Sequence, residues 1–207
     1  MLKVKLLFCA LFAMMSFTAQ ADEADEQEFV VTSGDFNVVR QPGKTGRLEV
    51  DFTKAKVGNL STMEITDQTF MDYLAANDQK VFKKWSEYQE EAIETFMERW
   101  NDAKKKVIKL TKKDTPDYII KINAAQLDPG NSGAATWSWN KRGGGIIISG
   151  TLEVIDAAGN SVCKMNINRY RGFSTRGLDI KIPTFHRRTL LLHKSLAKDL
   201  LEFLFDK

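Results

Sequence analysis

The sequence predicts an α+β fold, a two-layer sandwich in which a long central helix and a C-terminal helix pack on one face of a four- or five-stranded, mainly antiparallel sheet. Apolar residues recur every three or four positions over about 67–106 and 185–205, which is the periodicity of helices with one buried face. Between 117 and 170 they alternate with polar residues, as in strands. Because these strands follow one another with short links, we expect them to pair antiparallel.

The first 21 residues have the pattern of a cleaved secretory signal peptide. Lys3 and Lys5 give a positive start, residues 6–17 are almost wholly apolar, and Ala19-Gln20-Ala21 is a small-x-small cleavage site. About 12 apolar residues in a helix cover only about 18 Å, short of the roughly 30 Å of a membrane core. We therefore expect export to the periplasm or the extracellular space, with no transmembrane segment after cleavage.

Cleavage after Ala21 changes the charge of the chain. It removes two lysines and no acidic residue, which leaves 186 residues with a net charge of +1. So small a charge, together with export, argues against a nucleic-acid partner. Residues 22–28 are acidic and are interpreted as a disordered, solvated tail, and residues 29–207 as a single domain.

Two strands are predicted in the N-terminal part of the domain. Residues 29–39 and 47–52 are rich in β-branched and apolar side chains, and the turn-rich segment 41–46 lies between them. Residues 53–65 are interpreted as a connector.

The central segment is predicted to be helical from about 67 to 106. Thr66 and Asp78 are candidate N-caps, so we expect the segment to break near Ala76-Asn77 into a short helix and a long one. The apolar face of the long helix carries Val81, Trp85, Tyr88, Ala92, Phe96, Trp100 and Ala103. An aromatic stripe at this spacing is more typical of a core than of a cofactor site.

Three strands and a final helix complete the predicted domain. The strands are expected at 117–127, 145–155 and 161–170. Thr184, after Pro183, introduces a helix over 185–205, whose leucines cover more than half of its circumference. A stripe this wide is typical of a helix that lies across a sheet and also contacts a second helix.

The residues that most often carry catalysis are sparse. His186 and His193 are two helical turns apart, about 10 Å along the axis, which is too far to share one metal ion. Cys163 alternates with Met165 and Ile167 in a strand-like run, as expected of a core thiol rather than a nucleophile. The sequence contains no G-x-S-x-G elbow and no feature that pairs two carboxylates. We therefore expect no catalytic residue, no metal and no cofactor.

Two groups of residues are candidate contact sites for a partner. The first is a glycine-rich stretch with Trp137, Trp139, Lys141 and Arg142, which is typical of a mobile hairpin loop or of a surface that contacts a protein, a glycan or a lipid. The second surrounds the last strand and the start of the final helix, and it consists of Arg169, Arg171, Arg176, Arg187 and Arg188. With the lysines of 104–113, this second group favours an acidic partner or an anionic membrane surface.

Two short motifs resemble those of small α/β sandwich domains of the bacterial cell envelope. Asp117, Tyr118 and Ile120 match the D-Y-x-[IVL] strand that follows the long helix in such domains, and the later strand end and turn match at Val154, Asp156 and Gly159. Such domains include the amino-terminal domain of the Tol-system beta-propeller protein, the curli-secretion lipoprotein and auxiliary lipoproteins of envelope transporters. The resemblance covers about residues 48–205.

The resemblance implies a scaffolding or accessory binding role and gives no catalytic residues to carry over. Cys9 follows Phe8 instead of a small residue, so the chain lacks the lipobox of the lipoproteins in this group. We expect an exported, non-enzymatic envelope protein that acts through contacts with another envelope protein. A periplasmic carrier of a small apolar ligand or lipid is the alternative, and a hydrolase of unknown type is the third.

Overall fold

The computed structural model describes residues 27–60, 64–130, 145–172 and 184–205. Several features predicted from the sequence lie outside these ranges. They are the signal peptide, most of the acidic tail, the stretch with Trp137, Trp139, Lys141 and Arg142, and Arg176. The described residues form helices and one mixed sheet, which confirms the α+β class.

The described part of the chain contains eight strands, one 3-10 helix and four α-helices. In chain order the strands are β1 Phe29–Gly34, β2 Thr45–Asp51, β3 Lys56–Asn59, β4 Glu64–Thr69, β5 Lys109–Leu110, β6 Tyr118–Asp128, β7 Ile147–Asp156 and β8 Ser161–Arg171. The 3-10 helix is Phe36–Arg40, and the α-helices are α1 Phe70–Asn77, α2 Gln79–Lys83, α3 Trp85–Asn101 and α4 Phe185–Phe205.

Strand β6 is the centre of the sheet. The order is β1-β8-β7-β6-β2-β5, and β3 pairs with the far end of β6 and with β4. The pairs β1–β8, β7–β8, β6–β7 and β3–β4 are antiparallel, whereas β2 pairs in parallel with β5 and β6, and β3 pairs in parallel with β6. The sheet is therefore mixed, and it has more strands than the four or five that the sequence predicts.

The additional strands are short or polar. Residues 53–65, interpreted as a connector, contribute β3 and the start of β4. Five of the six residues of β4 are polar, so the strand lacks the alternation that reveals a half-buried strand. It is held by backbone pairing with β3 and by the Thr66 hydroxyl, which donates to the carbonyl of Val57 at 2.6 Å. Thr66 is thus a strand residue and not a helix cap.

The first predicted strand ends earlier than expected. Strand β1 stops at Gly34, which adopts a φ of +71°, a left-handed conformation that favours glycine. The Asp35 carboxylate then accepts the backbone N–H of Asn37 at 2.9 Å and starts the 3-10 helix. The change of direction brings Phe36 and Val39 into the core.

The central helical segment breaks twice. Asp78 is an N-cap as predicted, because its carboxylate accepts the N–H of Val81 at 3.1 Å, but it caps the five-residue α2 and not the long helix. The long helix begins only after a second break at Lys84. Helix α1 is capped by Thr69. Helix α3 ends at Asn101, five residues earlier than predicted, where the Asn101 side chain bonds both the N–H and the carbonyl of Leu110.

Both long helices pack on one face of the sheet and run in the same direction. Trp85 at the start of α3 lies 6.3 Å from Phe185 at the start of α4, between ring centroids. Lys105, just beyond α3, lies over the ring of Phe205 at the end of α4, 4.9 Å from its centroid. The predicted stripe of α3 is buried at Trp85, Ala92, Phe96 and Trp100, and α4 has the predicted bounds.

Cys163 is a core residue, as the sequence predicts. Only 1% of it is exposed, and burial raises the pKa of its thiol to about 12. The thiol is therefore kept in its unreactive protonated form.

The aspartates of the two motifs that carry the resemblance fix strand ends of the sheet. Asp117 accepts hydrogen bonds from Lys44 Nζ and from the backbone N–H of Thr45, each at 2.8 Å, and so fixes the start of β2 beside the start of β6. Asp156 accepts the backbone N–H groups of Ala158 and Asn160 in the β7–β8 turn, where Gly159 adopts a φ of +87°. Both aspartates therefore have structural roles.

The variant Asp117→Asn is expected to make the free energy of unfolding less dependent on pH at acidic pH. Hydrogen bonds from Lys44 and Thr45 lower the pKa of Asp117 from 3.8 to about 2. The ionised carboxylate therefore stabilises the folded state above about pH 4, and this contribution is lost as the pH falls towards 2. Urea unfolding between pH 2 and pH 5 should show a smaller loss of stability for the variant than for the wild type. Asp114→Asn, at an exposed position nearby, should follow the wild type, and an equal loss in Asp117→Asn would contradict the assignment.

Candidate functional site

A cleft of about 720 Å³ lies where the broken helical segment meets the end of β6 and the start of α4. Its lining comes from parts of the chain that are more than 100 residues apart. The lining residues are Tyr73, Leu74, Asn77, Asp78, Lys80, Val81, Tyr88, Pro129, Gly130, Thr184, Phe185, His186 and Arg188. Aromatic, charged and amide side chains therefore surround one concave surface, which is typical of a binding site.

The break between α1 and α2 forms one wall of the cleft. The backbone N–H of Asp78 donates to the carbonyl of Leu74 at 2.9 Å and closes α1, while its carboxylate starts α2. The same aspartate therefore ends one helix and begins the next, and residues on both sides of it line the cleft.

Arg188 brings a positive charge to the floor of the cleft. Only 5% of the residue is exposed, and its Nη1 donates to the carbonyl of Pro129 at 2.7 Å. Its guanidinium carbon lies 5.5 Å from the centroid of the Phe185 ring. Burial lowers the pKa of Arg188, and Tyr73 and Asp128 act in the opposite direction. An arginine remains protonated even when its pKa is lowered, so the floor of the cleft is cationic.

A stacked aromatic pair also lines the cleft. The rings of Tyr88 and His186 are nearly parallel, with centroids 3.9 Å apart. His186 Nε2 lies 2.8 Å from a carboxylate oxygen of Glu91, which orients the imidazole. This pair joins the start of α4 to α3 and gives the cleft a flat surface of rings.

Positive groups predominate around the cleft. Lys80 and Arg188 line it, and Arg187 follows at the start of α4, where its backbone N–H donates to the Thr184 hydroxyl at 3.2 Å. The N-terminus of this 21-residue helix adds its positive dipole end. The Asp78 carboxylate, which caps α2, is the one acidic side chain among the lining residues, against the two cations Lys80 and Arg188. The cleft is therefore complementary to a carboxylate or to polar carbonyl and hydroxyl groups.

A buried aromatic cluster supports the cleft from below. Phe185 packs against Phe70 and Trp85, and Phe52 lies between Trp85 and His193. His193 Nδ1 donates to the carbonyl of Thr189 at 2.9 Å, so its Nε2 carries no proton. Among the residues that the structure describes, neither this nitrogen nor Trp85 Nε1 has a hydrogen-bond partner, and both are buried. Burial lowers the pKa of His193 to about 4, so the ring is neutral at neutral pH.

The structure brings together only part of the basic group predicted from the sequence. Arg188 lines the cleft, and Arg187 precedes it on α4. Arg171 lies at the same end of the sheet, because it pairs with Ile147, and Ile147 pairs with Asp128 at the end of β6. Arg169 is exposed on β8 with a φ of 45°, and its backbone N–H donates to the Ser149 hydroxyl.

The lysines that follow α3 are partly engaged within the domain. Lys112 forms ion pairs with Glu90 and Glu94, and Lys105 lies over the ring of Phe205. These two lysines therefore contribute contacts between elements in addition to their effect on the helix dipole.

Sequence reasoning did not identify the aromatic and polar walls of the cleft. Tyr88 belongs to the apolar stripe of the predicted long helix, and Tyr73 and Asn77 belong to a short helix without a distinctive motif. The signal that pointed to this place is Asp78, because a predicted N-cap inside a helical segment marks a break. The contact of that break with residues 184–188 depends on the tertiary fold.

Within the described ranges, no group of three or more His, Cys, Asp or Glu side chains could hold a metal ion. None of the helices in these ranges combines the length and apolar character that crossing a bilayer requires.

The variant His193→Gln is expected to remove a pH dependence of stability. The unfolded histidine binds a proton near pH 6.5, whereas the buried ring does so only near pH 4. Acidification through this range therefore favours unfolding of the wild type, by roughly 3 kcal/mol in total. Chemical denaturation from pH 7 to pH 4 should show a shallower slope for His193→Gln, whose amide can still donate to Thr189. An unchanged slope in His193→Gln would contradict the assignment.

No family model and no curated protein matches the chain. Among solved structures, the chain is similar to the PelC dodecamer from Paraburkholderia phytofirmans, with 10% sequence identity and a TM-score of 0.38 over 81% of this chain and 94% of the PelC chain. A leucine-to-methionine variant of that dodecamer gives 11% identity and a TM-score of 0.37 over 83% and 97% of the two chains. Similarity at this level carries no inference about function.

Proposed function

We propose that the protein is an exported, non-enzymatic accessory protein of the cell envelope, and that its cleft binds an acidic or carbonyl-rich segment of a partner protein. The observation that carries the proposal is the buried cation of Arg188 in a cleft that is also lined by Tyr73, Tyr88 and His186. A positive charge that is fixed in place loses little conformational entropy when it meets an acidic group.

The chemistry of the cleft supports recognition of a polypeptide. Tyrosine and histidine rings offer apolar faces with polar edges, and Asn77 can both donate and accept hydrogen bonds. Lys80 at the cleft attracts negative charge over a longer range. Such a combination is common at contact sites where a few aromatic and basic residues provide most of the binding energy.

The proposed location rests on the sequence. Residues 1–21 have the pattern of a signal peptide, and the motifs at Asp117 and Asp156 resemble those of envelope domains. The candidate partner is accordingly another envelope protein.

A carrier of an apolar ligand or lipid is the competing proposal. Leu74, Val81 and Phe185 give the cleft an apolar strip. Asn77, Asp78, Lys80 and Arg188 share the same surface, and desolvation of these groups by an apolar ligand would be unfavourable. The polar character of the cleft therefore favours a peptide over a lipid. A hydrolase is the third proposal, and no contact described above favours it.

A photoreactive amino acid at Asn77, introduced in the cells that produce the protein, tests the proposal. Asn77 is exposed on the cleft, whereas Ala158 is exposed in the β7–β8 turn at the opposite end of the sheet and is a matched control position. We expect a crosslink to one partner protein from position 77 and none from position 158.

The charge of Lys80 supplies the specificity control. In the protein with the photoreactive residue at position 77, Lys80→Glu should reduce the yield of the partner crosslink on the order of tenfold, because it reverses a charge at the cleft. Lys80→Arg keeps the charge and should leave the yield unchanged. The same crosslink from position 158, or capture unaffected by Lys80→Glu, would contradict the proposal. A lipid recovered in equimolar amount by mass spectrometry, with no protein crosslink, would favour the carrier.

A further inference from the structure

The face of the sheet that points away from the helices has an ordered charge pattern. On β6, Ile120 and Ile122 are buried in the core, so Lys121 between them points to the other face. The same alternation on β2, β7 and β8 gives this face a set of half-buried side chains. We call it the open face.

Opposite charges alternate across the middle of the open face. The strand registers place Lys164 beside Glu153, Glu153 beside Lys121, and Lys121 beside Glu49. Neighbouring strands are about 4.8 Å apart, so the four charges form one row of alternating sign. Within the described residues Lys121, Glu153 and Lys164 take part in no ion pair, and Glu49 pairs with Arg47 of its own strand. Three of the four charges therefore remain available to another molecule.

The adjacent rows are polar on one side and apolar only at the centre on the other. Two residues further along the strands, the neighbours in the same order of strands are Asn166, Thr151, Asn123 and Asp51. On the other side of the charged row, Ile155 lies beside Ile119, and this pair is flanked by Arg47 on β2 and Ser161 on β8.

One symmetry operation makes these rows complementary to themselves. Consider a two-fold axis that lies between the two open faces, runs parallel to the strands and is centred between β6 and β7. It sets β6 of one copy against β7 of the second copy, and β2 against β8, so that each row meets the same row in reverse order. Glu153 then faces the second copy's Lys121, and Lys164 faces its Glu49. In the adjacent rows, Thr151 faces Asn123 and Ile155 faces Ile119. An axis across the strands would instead set Lys121 against Lys121, and the axis midway between β6 and β7 is the strand-parallel one that matches all four charges of the row.

We propose that two copies of this chain pack with their open faces together, related by the two-fold axis parallel to β6 and β7. The four strands that overlap about this axis, β8, β7, β6 and β2, offer a face on the order of 600 Å², from about 4.8 Å between strands and about 3.3 Å per residue. A standard interface buries about 800 Å² on each partner. The open face lies on the opposite side of the sheet from the helices, so the dimer leaves the cleft accessible.

Charge reversals at Lys121 and Glu153 test the arrangement. Wild-type protein in sedimentation equilibrium at low salt is expected to be a dimer, and high salt should weaken it. Lys121→Glu sets a glutamate against Glu153 of the second copy, and Glu153→Lys sets a lysine against Lys121. Each single variant is expected to raise the dimer dissociation constant on the order of a hundredfold, because two like-charged contacts appear at the centre of the interface.

Mixing the two single variants separates this interface from an effect on folding. A Lys121→Glu chain and a Glu153→Lys chain again match at every position of the charged row, so an equimolar mixture is expected to form a heterodimer. Circular dichroism should show that both variants are folded, and Lys83→Glu, an exposed charge reversal on α2, should leave the dimer intact. The proposal is overturned by a monomeric wild type at every concentration, by single variants that dimerise as tightly as the wild type, or by a mixture that stays monomeric.

Discussion

The register of β6 is the constraint on which the rest of the structure depends. This strand pairs with β7 along one edge and with β2 and then β3 along the other, so every other part of the sheet is positioned from it. A slip of one residue in its pairing would turn Lys121 towards the core and Ile120 and Ile122 towards the open face. Its last residues also lead to Pro129, whose carbonyl accepts the hydrogen bond from Arg188 at the cleft.

The cleft and the open face use opposite sides of the same sheet. On the helical side, a break in the helical segment leaves a concave surface that the start of α4 completes with Phe185, His186 and Arg188. On the other side, no described helix contributes to the surface, and the side chains of β2, β6, β7 and β8 set its charge pattern. Binding to a partner in the cleft and pairing with a second copy can therefore take place together.

Strong local periodicity explains what the sequence predicts well. The bounds of α4 were predicted because its leucines repeat at helical spacing over 21 residues, and β6, β7 and β8 alternate long enough to be recognised. Strands β3, β4 and β5 were missed, since β3 and β5 have only four and two residues and β4 is mostly polar. The early end of β1 at Gly34 shows how one left-handed glycine and a capping aspartate override a favourable strand composition.

By itself, the sequence determined the α+β class, the buried faces of the long helices and strands, the break at Asp78 and the burial of Cys163. These properties follow from the spacing of apolar residues and from capping side chains, which act over a few residues along the chain. Only the tertiary structure decided the parallel pairing of β2 with β6, the meeting of Tyr88 with His186, and the alignment of Lys164, Glu153, Lys121 and Glu49 in one row. Each of these joins distant parts of the chain, and the packing of the whole core sets the register that brings them together.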